Sequence, residues 1–308
     1  MQYVQIGLLA ASTNFAGGVL GVGGSGIPVA SMALLAVVGI LTGLLGGMLG
    51  IGGSVIMIPA MVWIIGATNA AGTDMMHQYQ AVAMIVNFLL SVPAVMAHVK
   101  KKAVWPKVVA PLMAAGVVGV VAGTLLSMQF DGKYLRWGLG VFLIYAGSEA
   151  VWKTIRPPKS DGLTYEQVAA GPLLPKLGIG STVGVFAGLT GLGGGALAVP
   201  SQQWLLKVPI RNAIANSAAL IVSMAWLGAI VKNAGLVATG PGPRGSVSQS
   251  LLLAACLAPT AMIASYIGGH MTHTLPAKAV RLAFGVLVLA STYRMFSGMG
   301  SAIGSLFG

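Results

Sequence analysis

The chain has 308 residues, of which 56% are hydrophobic and only 7% charged, with five acidic residues against seventeen basic ones. A soluble domain of this size needs about a quarter charged residues to cover its surface. A water-soluble fold is thereby excluded, and hydrocarbon must be the solvent for most of the surface. The net charge of +12 does not imply nucleic acid, because the cations lie in short clusters between apolar runs. Lys100, Lys101, Lys102 and Lys107 form one cluster, and Lys153, Arg156 and Lys159 another, which is the pattern of cytoplasmic loops. The single Cys256 lies in an apolar run, which excludes a disulfide within the chain and argues against a metal cluster. The N-terminus has neither a basic start nor a small-residue cleavage site, so no secretory signal is expected.

Residues 1–28 read as an extension. Within it, Gly17–Ser25 (GGVLGVGGS) matches Gly46–Ser54 (GGMLGIGGS) at seven of nine positions. A membrane span needs roughly 20 apolar residues, and the stretches that qualify are Val29–Leu49, Gln80–Val99, Val108–Met128, Leu135–Trp152, Ala213–Val231, Ser250–Met271 and Ala279–Phe296. Three shorter stretches, Val55–Gly66, Lys176–Gly191 and Ala196–Val208, adjoin glycine clusters. The polar stretch 153–175 carries both signs of charge and is the one credible linker, on the cytoplasmic side. It divides the chain into a first transmembrane unit, 29–152, and a second, 176–308.

The two units read as repeats. Gly43, Gly47, Gly50, Gly52, Gly53, Pro59 and Trp63 answer Gly184, Gly188, Gly191, Gly193, Gly194, Pro200 and Trp204 at constant spacing. Internal duplication is a common plan for transporters, with substrate at the repeat interface. The expected fold is therefore all-α: a polytopic transmembrane bundle of two internal repeats, each with a glycine-broken helix or a helical hairpin. If each glycine knot turns the chain back, three full spans follow per repeat and the second half is inverted. If the knot merely interrupts one crossing helix, the count is four and the repeats are parallel.

Paired glycines let the backbone reach positive φ and turn inside the membrane. The helix that follows begins with free N–H groups and the positive end of its dipole. Together these make an anion site that needs no cationic side chain. The expected contacts are Gly50, Gly52, Gly53 and Ser54 from the first knot and Gly191, Gly193, Gly194 and Gly195 from the second, acting through backbone N–H donation. Gln202, Gln203, Asn216 and Ser217 are second-choice contacts, with interhelical hydrogen bonding as the competing role. The outer glycines have the spacing that lets membrane helices approach closely. Nucleotide-binding fingerprints are excluded: the glycine clusters lack a strand–turn–helix context, and no Lys-Ser or Lys-Thr follows them.

Ionisable residues within spans are few. Glu149 lies near the end of its span and either carries a coupling proton or sits at the interface. Asp74 and His77 face a vestibule or a solvated loop, and His98 is placed at the headgroups. His270 and His273 have a spacing that permits shared metal binding, but no carboxylate or Cys accompanies them, so no metal and no cofactor is expected.

These features resemble the sulfite exporter TauE/SafE family, also called the toluene sulfonate uptake permeases. The resemblance rests on GMLGIGGSVIMIP, on GLTGLGGGALAVP, on His98-Val-Lys-Lys-Lys and on Arg211-Asn-Ala-Ile-Ala-Asn-Ser, over approximately residues 30–296. It implies a multi-pass permease of a bacterial-type plasma membrane, moving sulfite, organosulfonates or related sulfur anions and coupled to an ion gradient. The expected partners are thus a small anion, the lipid bilayer and a coupling ion such as a proton, with room for a homo-oligomer and none for nucleic acid. Rival readings are an uptake permease or channel for another small anion, a membrane-embedded enzyme, and an assembly subunit without transport. The scarcity of acids weighs against the enzyme.

Overall fold

A computed structural model describes residues 29–66, 75–155, 162–239 and 245–272, together with scattered positions between 282 and 296. The N-terminal extension with its extra glycine motif, Asp74 and His273 lie outside the described residues, as does most of the span expected over 279–296. Every element described is helical: α1 (Val29–Leu49), α2 (Ser54–Ile64), α3 (Met76–Lys100), α4 (Pro106–Ser127), α5 (Gly132–Ile155), α6 (Tyr165–Ala170), α7 (Leu173–Thr190), α8 (Gly195–Leu205), α9 (Ile210–Thr239) and α10 (Val247–Met271). Six of them, α1, α3, α4, α7, α9 and α10, are long and apolar enough to cross a membrane. The fold is thus all-helical, with the apolar residues spread around each helix, as suits elements that face lipid on one side and protein on the other. Helix α5 has the length of a span but carries Lys133, Arg136 and Glu149.

Glycine sets the closest helix pairs. A Cβ on Gly39, Gly43 or Gly47 of α1 would strike the backbone of Leu257, Ala261 and Ser265 in turn, at 2.2–2.6 Å from the respective carbonyl oxygens. Helices α1 and α10 therefore run parallel with their backbones in contact. Helices α7 and α4 do the same, with Gly180, Gly184 and Gly188 against Leu112, Gly116 and Val120. Without a hydrophobic drive between helices in lipid, such close approach supplies the packing energy. The central pair, α3 and α9, is antiparallel: Met84 meets Gly228, whereas Asn87 and Ile221 both meet Gly193.

Hydrogen bonds fix which helix ends lie together. At one end, Trp105 N–H donates to Asn216 Oδ1 (2.8 Å), Asn212 Nδ2 to the Ala103 carbonyl (2.9 Å), and Leu163 N–H to the Lys207 carbonyl (2.9 Å). This end gathers the α3–α4 turn, the start of α9 and the short helix α6, which a Thr164–Gln167 capping box opens inside the expected linker. Lys100, Lys101, Lys102, Lys107, Lys207 and Arg211 belong to it. Lys176 is buried there, donating to the Ala169 and Gly171 carbonyls. At the opposite end, Gln78 Nε2 donates to Gln249 Oε1 and Lys232 Nζ donates to Ser127 Oγ (2.6 Å). His77 Nε2 lies 3.0 Å from the Phe130 carbonyl there. Cations are thus concentrated at the first end. His98, expected at the headgroups, is fully buried at the end of α3.

Candidate functional site

Both glycine clusters are sharp turns between a long helix and a short one. Gly50 and Gly52 have φ of +63° and +80°, and Gly191, Gly193 and Gly194 have φ of +75°, +69° and +83°, values that L-residues with a Cβ rarely adopt. The chain reverses at the first turn, because Gly52 and Gly53 come back against Gly46 and Thr42 of α1. Helices α1 and α2 therefore form a hairpin. Gly53 itself has φ −84°; space, rather than backbone conformation, requires glycine there, since a Cβ would lie 3.0 Å from Leu90 Cδ2 and 3.1 Å from Thr42 Cβ.

The two turns meet in the interior. A Cβ on Gly195 would lie 2.5 Å from the Gly50 carbonyl oxygen and 2.6 Å from the Ile51 carbonyl carbon, and one on Gly52 would lie 3.3 Å from the Leu192 carbonyl oxygen. The helices that leave this junction, α2 and α8, have no side-chain cap at their N-termini. Their first-turn amides and the positive ends of their dipoles thus converge on one region of the protein, an arrangement suited to negative charge.

Polar side chains around the junction hold it together. The Gly53 N–H donates to Asn87 Oδ1 (3.0 Å), and Asn87 Nδ2 donates to Ser54 Oγ (2.9 Å). That bond uses Ser54 as acceptor and does not commit its own hydroxyl hydrogen. Ser217 Oγ donates to the Gly50 carbonyl (2.6 Å), and Gln80 Nε2 donates to the Leu189 carbonyl at the second turn (3.1 Å). Asn216 Nδ2 donates to Gln202 Oε1 (3.1 Å), and Gln202 Nε2 to the Ala198 carbonyl (3.1 Å). Gln203 points elsewhere, into a cavity of about 80 Å³ that Leu49 and Ile51 of the first turn, Glu149 of α5, and Ala196 and Pro200 of α8 also line.

A model of the TauE family, described as sulfite exporter TauE/SafE, matches residues 35–295 of the chain. The chain belongs to this family. Among curated proteins it is similar to the probable membrane transporter protein MamO of Magnetospirillum gryphiswaldense, at 24% identity over 253 residues, covering 72% of this chain and 39% of that protein. A MamO of Paramagnetospirillum magneticum is likewise 24% identical over 259 residues, with the same coverage. The chain thus spans about two-fifths of the length of these relatives. No solved structure matches it. Family membership and six candidate spans make this a multi-pass membrane protein of a transporter family.

Within this family member, the eight knot residues expected from sequence, Gly50, Gly52, Gly53, Ser54, Gly191, Gly193, Gly194 and Gly195, belong to the two turns that meet. The four second-choice residues separate. Gln202, Asn216 and Ser217 are fully buried and bonded to the protein's own groups, while Gln203 alone reaches the cavity. Sequence reasoning missed Asn87 and Gln80. The signal was present, since both are amides in one largely apolar helix, where a polar group needs a partner. The facing register also moves: Gly53 packs on Leu90 and Gly194 on Met224, which pairs Asn216 and Ser217 with Val82 and Ala83 instead of Met84 and Ile85.

Proposed function

We propose that the protein is a secondary transporter that moves a small sulfur-containing anion, such as sulfite or an organosulfonate, across the cell membrane in exchange with or alongside an ion gradient. The observation that carries this reading is the junction of two uncapped helix N-termini inside a multi-span bundle. Backbone N–H groups of Ser54, Gly194 and Gly195 would donate to the oxyanion, with the Ser54 hydroxyl as a further donor, while the Gly53 N–H stays bonded to Asn87 Oδ1. Buried donors set in advance of binding offset the cost of stripping water from the anion. Asn87, Ser217, Gln80, Gln202 and Asn216 would position the turns without touching substrate.

We further propose that the two halves are inverted repeats. Three facing pairs support this. Gly50 packs on Ile214 as Gly191 packs on Gln80, Gly52 on Asn87 as Gly193 on Ile221, and Gly53 on Leu90 as Gly194 on Met224. The antiparallel α3–α9 pair and the return of the chain at the first turn fit an odd number of crossings per half. The excess of cations at the α3–α4 end supports a cytoplasmic position for that end, which would put the cavity beside Gln203 on the cytoplasmic side.

Radiolabelled sulfite flux into proteoliposomes, with and without an imposed proton gradient, tests the reading. Saturable, gradient-dependent flux is expected. A wild-type protein that moves no sulfite would withdraw that substrate, and competition by thiosulfate and organosulfonates would then decide among sulfur anions.

A further inference from the structure

Five acidic residues occur in the whole chain, and of these Glu149 alone stands within an apolar stretch. Among the described residues it is the only acidic one lining the cavity beside the junction, which Leu49, Ile51, Ala196, Pro200 and Gln203 also line. Ile51 belongs to the first glycine turn and Ala196 to the first turn of α8, so the cavity that Glu149 lines adjoins the proposed anion site. Ionisable groups within apolar stretches of a membrane protein are functional candidates by default.

From this geometry we infer that Glu149 is the proton-carrying group that couples anion movement to the proton gradient, an inference that rests on the transport reading above. An anion at the junction and an ionised Glu149 carry like charge in a small, largely apolar space, so each disfavours the other. Protonation of Glu149 removes that repulsion. Anion binding and proton binding therefore favour one another, and the coupling acts equally in both directions. A proton taken up with the anion on one side is released with it on the other. No bond other than O–H is made or broken, and the carboxyl returns to its starting state each cycle.

The elements bounding the cavity bring no other described charged side chain to its lining. Helix α8 contributes Gln203, α9 contributes Ile210 and Ile214 with Arg211 adjoining in sequence, and the first turn contributes Leu49 and Ile51. On α5 itself Tyr145 lies one turn before Glu149, and Lys153 follows one turn later in the sequence. Gln203 lines the same cavity as Glu149, and its amide N–H can donate to a carboxylate or to an anion.

The test compares wild type, Glu149→Gln and Glu149→Asp in proteoliposomes with radiolabelled sulfite, measuring accumulation driven by a pH gradient and exchange at equal pH. For one proton per anion, a gradient of one pH unit supports about tenfold accumulation. Glu149→Gln is expected to exchange sulfite at a rate that no longer depends on pH and to accumulate none above equilibration. Glu149→Asp should restore gradient-driven accumulation in part. Accumulation by Glu149→Gln equal to wild type would overturn the inference and leave the transport reading standing. Loss of exchange as well as accumulation in both variants would also overturn it, by showing a structural role. Absence of sulfite exchange by the wild type would overturn both together.

Discussion

Replacing Gly195 by Ala adds one methyl group where the two glycine turns touch. Gly195 is not among the positive-φ glycines, so the backbone tolerates alanine and only space is at issue. The added Cβ would sit 2.5 Å from the Gly50 carbonyl oxygen, 2.6 Å from the Ile51 carbonyl carbon and 2.7 Å from Ile221 Cδ1. Two of these neighbours are backbone, which cannot rotate aside. Ordinary contact lies near 3.5 Å, so the turns must separate by roughly 1 Å. Overpacking of this kind costs about 1–3 kcal/mol, and a displacement of about 1 Å in a positioned site can lower its performance by about a hundredfold. Gly178→Ala in α7 is the control, since its Cβ would meet nothing within 4 Å. Thermal unfolding in detergent and sulfite flux in proteoliposomes should both fall for Gly195→Ala and both hold for Gly178→Ala. Wild-type stability and flux in Gly195→Ala would refute the close apposition of the turns.

Asn87→Leu removes the acceptor of the Gly53 N–H and the donor to Ser54 Oγ. A buried polar group left without a partner costs about 1–3 kcal/mol, so thermal unfolding should shift downward, and an unchanged midpoint would show that the amide does not organise the turn. Gly194→Ala should be more damaging than Gly53→Ala, because Gly194 combines φ +83° with a 2.7 Å contact to Val183 Cγ1, whereas Gly53 has φ −84° and its nearest obstacle is a Leu90 methyl. Equal loss of folded yield in the two variants would contradict this ordering. For orientation, single cysteines at Lys101 and Lys133, placed in a Cys256→Ala background, should react with an impermeant thiol reagent from the cytoplasmic and the external side respectively. Reaction of both from one side would refute the direction assigned to α3, α4 and α5.

Much of this was legible in the sequence because the relevant physics is local. Apolar length gave α1 as Val29–Leu49, and paired glycines before a fixed proline gave both short segments, read over Val55–Gly66 and Ala196–Val208 and observed as Ser54–Ile64 and Gly195–Leu205. The glycines at every fourth residue in α1 and α7 announced close helix contacts, although not which helix each would meet. What remained hidden depends on register between distant segments. Asn87 becomes significant only once α3 is laid against the first turn, and for Gln202 and Asn216 anion contact and interhelical bonding stay open until α8 and α9 are brought together. Glu149 and Gln203 lie 54 positions apart in the chain, and nothing in either segment indicates that one cavity receives both.

The departures from symmetry between the halves carry the functional argument further than the likenesses do. Position for position, Ser54 of the first turn corresponds to Gly195 of the second, and the structure gives each a reason. Ser54 is buried against Asn87, while a side chain at 195 would collide with the Gly50 carbonyl. Side chains hold both turns, Asn87 and Ser217 at the first and Gln80 at the second, but only the first has a side chain of its own at this position. The same bias recurs in the short helices. On α2 the residues Val55, Ile58, Met61 and Val62 are all buried in the apolar core, whereas on α8 Ala196, Val199, Pro200 and Gln203 line the open cavity. Two identical halves would present two identical routes to the junction. Among the described residues the α2 side is packed into the apolar core, while on the α8 side a small cavity adjoins the junction. A carrier must also expose the same site to the opposite side. On the transport reading proposed above, α8 is the element whose movement would do so, because the cavity beside it leaves room that the apolar core around α2 does not.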